Sequence, residues 1–323
     1  MRMLVTGGAG FIGSHLTSLL LSQGHDVTVL DDLSTGLDAN LGGHGSSPRL
    51  KVHVGSVTDA SLVDALVASS ERVFHLAAVV GVRLALQESL RSIQTNVHGT
   101  SVVLEAAARR QIPTFLASSS EVYGSAFLAP HREHDVLALG PTSNARWAYA
   151  CSKMMDECLA FAFHREQGLP VVVGRMFNTA GPGQLGRYGM VIPNLVHQAL
   201  QGQAMTVHGD GAQTRCFCHV RDTARAIAGL LDNAACQGQV FNIGSTREVS
   251  IAELARMVRD ITCSTSPIET VPYQAAYGVQ FEDMRRRVPD TSKIQAHIGW
   301  QPEITLERLI EDVVAAVRSG AAR

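Results

Sequence analysis

The 323-residue sequence lacks any run of about 18 consecutive apolar residues, so no membrane span is expected. It lacks a basic excess: 27 Lys and Arg stand against 29 Asp and Glu, a net charge of −2. That excludes the charge signature of nucleic-acid and membrane-surface binders. Cysteine is sparse, with six residues and no C-x-x-C pair, which rules out a disulfide framework in so long a chain. Free thiols, buried or partly buried in a reducing cytosol, are expected instead. Met1 leads straight into Met3-Leu4-Val5 with no charged and apolar leader, so no signal peptide is expected and a cytoplasmic location is. The 13 histidines show no ligand spacing, which predicts no metal. There is no internal repeat and no low-complexity segment.

What is present is alternation. Short apolar runs at 3–6, 27–30, 50–54, 73–76, 115–118 and 171–175 read as strands. Between them, apolar residues recur at three- and four-residue spacing, as in Phe11, His15, Leu16, Leu19 and Leu20, or Val97, Val102, Val103, Ala106 and Ala107. Repeated strand–helix alternation predicts an α/β fold with a doubly wound parallel sheet. After Arg175 the pattern loosens. Residues 181–189 read as a Gly/Pro-rich loop. Helices are predicted at 191–200, 222–231, 251–261 and 306–318, strands at 205–207 and 240–243, and an irregular stretch at 263–289. This predicts a smaller C-terminal lobe with no large sheet of its own.

Gly7, Gly8, Gly10 and Gly13 lie between the first strand and the first helix. Glycines there let the backbone turn sharply and approach a pyrophosphate, which the helix N-terminus then attracts with N–H donors and partial positive charge. Asp31 follows Gly13 by 18 residues, at the end of the second strand. A carboxylate there accepts from the adenosine ribose hydroxyls and repels a 2′-phosphate, which favours NAD over NADP. Tyr149 and Lys153, four apart in the helical pattern 147–165, share one helix face. An ammonium beside a phenol lowers the phenol's pKa, so the pair suits proton abstraction from an alcohol being oxidised. The Ser118-Ser119-Ser120-Glu121 run ends the fifth strand, where substrate groups converge in parallel sheets, and Ser120 is a candidate to hydrogen-bond the reacting hydroxyl.

Six motifs occur in order: Thr6-Gly7-Gly8-Ala9-Gly10-Phe11-Ile12-Gly13, Asp31-Asp32-Leu33-Ser34-Thr35-Gly36, His75-Leu76-Ala77-Ala78, Asn96-Val97-His98-Gly99-Thr100, Tyr149-x-x-x-Lys153 and Arg175-Met176-Phe177-Asn178-Thr179-x-Gly181-Pro182. Together they resemble the extended short-chain dehydrogenases/reductases that act on sugar nucleotides: 4-epimerases, 4,6-dehydratases and UDP-glucuronate decarboxylases. The resemblance implies a Rossmann sheet with a substrate-binding lobe: residues 1–175 bind NAD, with the chain returning at about 205–243, and residues 176–323 mainly bind a UDP-sugar. It implies cofactor contacts from Gly7, Gly10, Phe11, Ile12, Gly13, Asp31, Asp32, Ser34, Thr35, Gly36, Val57, Leu76, Ala77, Ala78, Asn96, Ser118, Tyr149, Lys153 and Phe177. It implies substrate contacts from Arg83, Ser119, Asn178, Arg187, Asn194, Leu195, Arg215 and Arg287, and catalytic roles for Tyr149, Lys153, Ser120, Glu121 and Arg287. A homodimer is implied as well, built through the 147–165 and 96–110 helices.

Within this group Ser120-Glu121-Val122-Tyr123-Gly124 and Asp283-x-x-x-Arg287-x-Pro289-Asp290 are similar to UDP-glucuronate decarboxylases. Dehydratases carry an aspartate where Ser120 stands, so water loss across carbons 5 and 6 lacks its usual acid. Val79-Val80-Gly81-Val82-Arg83 resembles UDP-glucuronate 4-epimerases instead, and Ser56 replaces the usual aspartate beside the adenine. Decarboxylase and 4-epimerase therefore both stand as readings, with UDP-glucuronate fitting each. A dinucleotide-sensing protein without catalysis is the rival from another class; retention of both Tyr149 and Lys153 speaks against it.

Overall fold

The computed structural model describes residues 1–34, 36, 38–44, 47–80, 88–125, 129–186, 189–272 and 284–320. Thr35, Arg83, Arg187 and Asp283 lie outside the described residues.

The first half alternates as the apolar pattern predicts: β1 (Arg2–Thr6), α1 (Phe11–Ser22), β2 (Asp26–Asp31), β3 (Leu50–Val54), α2 (Ala60–Ala68) and β4 (Arg72–His75). There follow α3 (Ser89–Ile93), a π-helical turn (Gln94–His98), α4 (Gly99–Ala108), β5 (Thr114–Ser119), α5 (Ala148–Gln167) and β6 (Val171–Met176). Beyond these come β7 (Thr179–Ala180), α6 (Val191–Leu200), β8 (Met205–His208), β9 (Thr214–Cys216), β10 (Cys218–His219), α7 (Val220–Asp232) and β11 (Gln239–Ile243). The chain closes with β12 (Glu248–Ser250), α8 (Ile251–Thr262), β13 (Ile268–Val271), β14 (Arg286–Arg287), α9 (Ser292–Ile298) and α10 (Leu306–Arg318).

Seven strands form one sheet in the order β11-β6-β5-β4-β1-β2-β3, and every pairing in it is parallel. Its central strands are buried on both faces, which is why they read as continuous apolar runs. One face packs against α1 and α7 through Leu16, Leu20, Ile227 and Leu230. The other packs against α2, α4 and α5 through Val63, Val103, Leu104 and Ala160. The strand order reverses between β1 and β4, so the crossovers part there and open a crevice at the carboxyl ends of the strands.

A third core joins α6, α8 and α10 through Leu195, Leu254, Val258, Leu309 and Ile310. Side chains fix where these later helices begin. Ser250 accepts from Glu253 N at 3.1 Å and Thr305 from Arg308 N at 3.3 Å, each satisfying a donor the helix cannot. The stretch 263–289 is not wholly irregular. It contains β13, parallel to β8, and β14, parallel to β9. These strands are too short, and carry too little alternation, for periodicity to reveal them. Three of the free thiols, Cys151, Cys158 and Cys263, are exposed, not buried or partly buried; Cys216, Cys218 and Cys236 are buried. No helix among the described residues is long and apolar enough to cross a membrane.

Candidate active site

A cleft of about 750 Å³ runs along the strand ends, from the glycine loop to the lobe formed after β6. Its first wall is the turn from β1 into α1. Gly7 takes φ +72° and donates to Leu30 O at 2.8 Å, tying the turn to β2. A Cβ on Gly13 would lie 2.0 Å from Gly7 O, so only glycine lets the helix start this close to the loop. Asp31, buried at the end of β2, receives Ala9 N at 3.0 Å and Leu33 N at 2.9 Å. Burial pushes its pKa up against the pull of these backbone donors. The carboxylate thus shapes the loop and also lines the cleft. Asp32 caps its own turn, accepting from Ser34 N at 3.0 Å and Ser34 Oγ at 2.6 Å.

The second wall is α5 against the end of β5. Tyr149 and Lys153 both line the cleft. Lys153 Nζ donates to Ala117 O at 3.0 Å and to Asp156 Oδ2 at 3.0 Å, with both side chains buried. Burial works against the Lys153 charge, but Asp156 and then Tyr149 outweigh it and hold its pKa above the ordinary value. Burial likewise pushes the Tyr149 phenol upward, against the Lys153 charge and a hydrogen bond with Ser119. Sequence reasoning anticipated the lowering by lysine and missed the larger opposing effect of burial. It also placed Ser120 at the reacting hydroxyl. Ser119 is the serine bonded to Tyr149, and it caps the following turn by accepting Glu121 N at 3.3 Å. Ser118 donates to Glu157 Oε1 at 2.5 Å, and Arg175 clamps the same glutamate through Nε at 2.9 Å and Nη2 at 2.7 Å.

The third wall joins three distant segments. Arg287 of β14 donates through its two terminal nitrogens to Glu121, in the turn after β5, and to Asn178, just after β6. The side chains of Arg287 and Glu121 are only 11% and 14% exposed, so this is a largely desolvated ion pair at the cleft. Arg215 of β9 is held by Thr214 O and Met284 O, each at 2.8 Å, and lines the cleft with Asn194.

Of the remaining candidates, Gly10, Phe11, Ile12, Val57, Leu76, Ala77, Ala78, Ser118 and Ser120 line the cleft as well. Four do not. Asn96 is buried and donates to Ser152 Oγ at 3.1 Å while accepting Val79 N at 2.8 Å, so it pins the loop after β4 to α5. Phe177 packs with Val122 and Tyr123, Leu195 packs in the third core, and Gly36 lies where a Cβ would meet Asp31 Oδ1 at 2.9 Å. The sequence reading missed Asp156, the Glu157–Arg175 pair, and the lining residues Gln198, Thr206 and His208 near α6 and β8. Two adjacent acids one turn beyond Lys153 on the buried side of α5 were the available signal for Asp156 and Glu157. Among the described residues no cluster of His, Cys, Asp or Glu could hold a metal ion.

A glycine turn feeding a helix N-terminus, an acid ending β2, and a buried Tyr–Lys pair at the switch point define a dinucleotide-binding enzyme of the extended short-chain dehydrogenase/reductase class. The matching family model is described as GDP-mannose 4,6 dehydratase and covers residues 4–313; the chain belongs to that family. It is 38% identical to a UDP-N-acetyl-alpha-D-glucosaminuronate decarboxylase of Bacillus cytotoxicus, over 97% of this chain and 96% of that one. It is 34% identical to UDP-glucuronic acid decarboxylase 1 of Arabidopsis thaliana, over 99% of this chain and 70% of the relative. Among solved structures it is similar to a dTDP-glucose 4,6-dehydratase of Streptomyces venezuelae with NAD bound, with TM-score 0.89, 31% identity, and coverage of 100% of this chain and 99% of that one. A Thermotoga maritima UDP-glucose 4-epimerase with UDP-glucose aligns with TM-score 0.89 and 28% identity, over 99% and 100% of the two chains.

Proposed function

We propose that the protein is an NAD-dependent UDP-glucuronate decarboxylase that oxidises sugar carbon 4, releases carbon dioxide and reduces the ketone to UDP-xylose. The observation that carries this reading is Arg287, an obligate cation seated with Glu121 and Asn178 in the same cleft as Tyr149. A uronate carboxylate is the substrate group such a cation suits. The names of the Bacillus and Arabidopsis relatives point the same way.

The residues fit NAD. Gly7, Gly10 and Gly13 line the cleft at a helix N-terminus, which suits a pyrophosphate, and the Asp31 carboxylate lines it where a 2′-hydroxyl is welcome and a 2′-phosphate is not. When bound, NAD supplies a hydride acceptor and donor for carbon 4. Tyr149, as phenolate, takes the carbon-4 hydroxyl proton; Ser119 hydrogen-bonds the same oxygen, and Lys153 offsets the phenolate charge. The resulting 4-ketone lies β to the carboxyl group. The bond between carbons 5 and 6 then breaks, its electron pair enters the enolate of carbons 4 and 5, and carbon dioxide leaves. The Tyr149 and Ser119 hydroxyls stabilise the enolate oxygen. Carbon 5 takes a proton of solvent origin at the Glu121–Arg287 pair, in which the guanidinium is the proton-bearing partner.

In this reading residues 1–175, with the chain returning at about 205–243, hold NAD, and residues 176–323 mainly hold the sugar nucleotide. Asn194 and Arg215, which line the cleft, contact the nucleotide diphosphate. The protein works in the cytoplasm as a homodimer. Met155 of α5 is an exposed apolar residue on one of the elements that would meet a second copy.

UDP-glucuronate or UDP-glucose 4-epimerisation is the second reading, favoured by the Val79-Val80 departure from the decarboxylase pattern and by the likeness to the Thermotoga epimerase. Carboxyl-labelled UDP-glucuronate separates the two. Release of labelled carbon dioxide, lost in Tyr149→Phe, is expected; label retained in a UDP-hexuronate isomer would establish the epimerase. The 2-acetamido uronate named for the Bacillus relative belongs in the same assay.

A further inference from the structure

Lys153 does not stand alone against Tyr149. One turn along α5, Asp156 places Oδ2 at 3.0 Å from Lys153 Nζ, and the two side chains are 0% and 4% exposed. Asp156 Oδ1 has no partner in hydrogen-bond geometry, and besides Thr100 nearby the carboxylate's one ionic contact is the ammonium. A buried acid this poorly solvated is tolerated only because it faces a charge. We propose that Asp156 is a positioning residue for the reaction: its carboxylate keeps the Lys153 ammonium charged and seated against the Ala117 carbonyl, and so sets the pH range over which the Tyr149–Lys153 pair works. The inference rests on the reading of Tyr149 and Lys153 as the proton-transferring pair.

The surroundings leave this task to Asp156. From β4, His75 faces Lys153 but is uncharged, its pKa driven to about 3 by burial and by Lys153 itself. On α5, Glu157 is spent on Arg175 of β6 and on Ser118. Beyond β5, Glu121 is paired with Arg287 of β14. Asp156 and Tyr149 therefore hold Lys153 between them. The Asp156 charge favours protons on both Tyr149 and Lys153, and removing it favours their loss.

Asp156→Asn tests this. Both limbs of the pH profile of kcat are expected to move to lower pH by about one unit or more, while Asp156→Glu keeps them near the wild-type positions. A uniform fall in kcat with unmoved limbs would mean a structural role only and overturn the proposal. A second readout needs no substrate. Ultraviolet titration of the phenolates, with Tyr149→Phe marking the step that belongs to Tyr149, is expected to show the coupled step at lower pH in Asp156→Asn. If that step moves although UDP-glucuronate is not turned over, the substrate reading fails and this inference stands. If it stays, the inference fails whatever the substrate. Should Asp156→Asn not fold, Asp156→Asn combined with Lys153→Met is expected to recover the thermal midpoint; a double variant no more stable than the single one overturns the pairing.

Discussion

His75 shows how far a single residue's environment departs from its sequence context. Its ring is 1% exposed and bonded to Thr6 Oγ1 at 2.7 Å and Thr100 Oγ1 at 3.1 Å, bracing β1 and α4 beneath the cofactor wall. Burial, then the Lys153 charge, lowers its pKa from 6.5 to about 3. The unfolded chain binds that proton more readily than the folded one, so stability falls as pH drops below 6.5 and continues to fall toward 3. His75→Gln is expected to remove this residue's contribution of about 1.4 kcal/mol per pH unit from the acid slope. Urea unfolding at several pH values between those limits checks it; an unchanged slope would show that His75 is not the buried titrating group. The sequence shows only that His75 ends a strand, in the His75-Leu76-Ala77-Ala78 motif. It could not separate Ser119 from Ser120, since a run of three serines at a strand end leaves open which one turns toward α5.

At the scale of elements, α5 carries both halves of the proton-transfer pair and is anchored by the Glu157–Arg175 ion pair, whose side chains are 6% and 5% exposed. Glu157→Ala leaves Arg175 buried without its counter-charge. Stability is expected to fall by about 3–5 kcal/mol, and turnover with it as the helix shifts from β5. Glu157→Leu with Arg175→Met should recover most of the stability, because a well-packed apolar pair is an adequate substitute. Equal losses in the single and double variants would count against the anchoring role. Amphipathic elements such as α6 and α10 were legible because 10 and 13 residues repeat their period. The two-residue β14 was not, for its place depends on parallel pairing with β9, a partner more than sixty positions away. Arg287 itself stood out by its Pro-Asp context, but only the fold brings it to Glu121 and Asn178.

Across the whole molecule, the parallel sheet and the glycine turn were legible in the sequence, since strand–helix alternation and the glycine spacing are each local patterns. The cleft's far wall was not, because it is assembled from the β5, β6 and β14 ends of three remote segments. The proposed homodimer adds a further level. Met155 is 51% exposed on the outer side of α5, with Cys151 and Cys158 also exposed on that helix. Met155→Asp is expected to convert a homodimer to monomers in light scattering at micromolar concentration; a wild-type protein that is already monomeric would rule out the α5 interface.

The most direct measurement is turnover of UDP-glucuronate by the purified protein in heavy water, with the product read by mass and proton NMR. A UDP-pentose lighter than the substrate by carbon dioxide, with one solvent deuterium at carbon 5 and the substrate's own hydrogen at carbon 4, is the predicted result. A UDP-hexuronate of unchanged carbon count, epimerised at carbon 4, would contradict the decarboxylase and leave Arg287 as a carboxylate clamp.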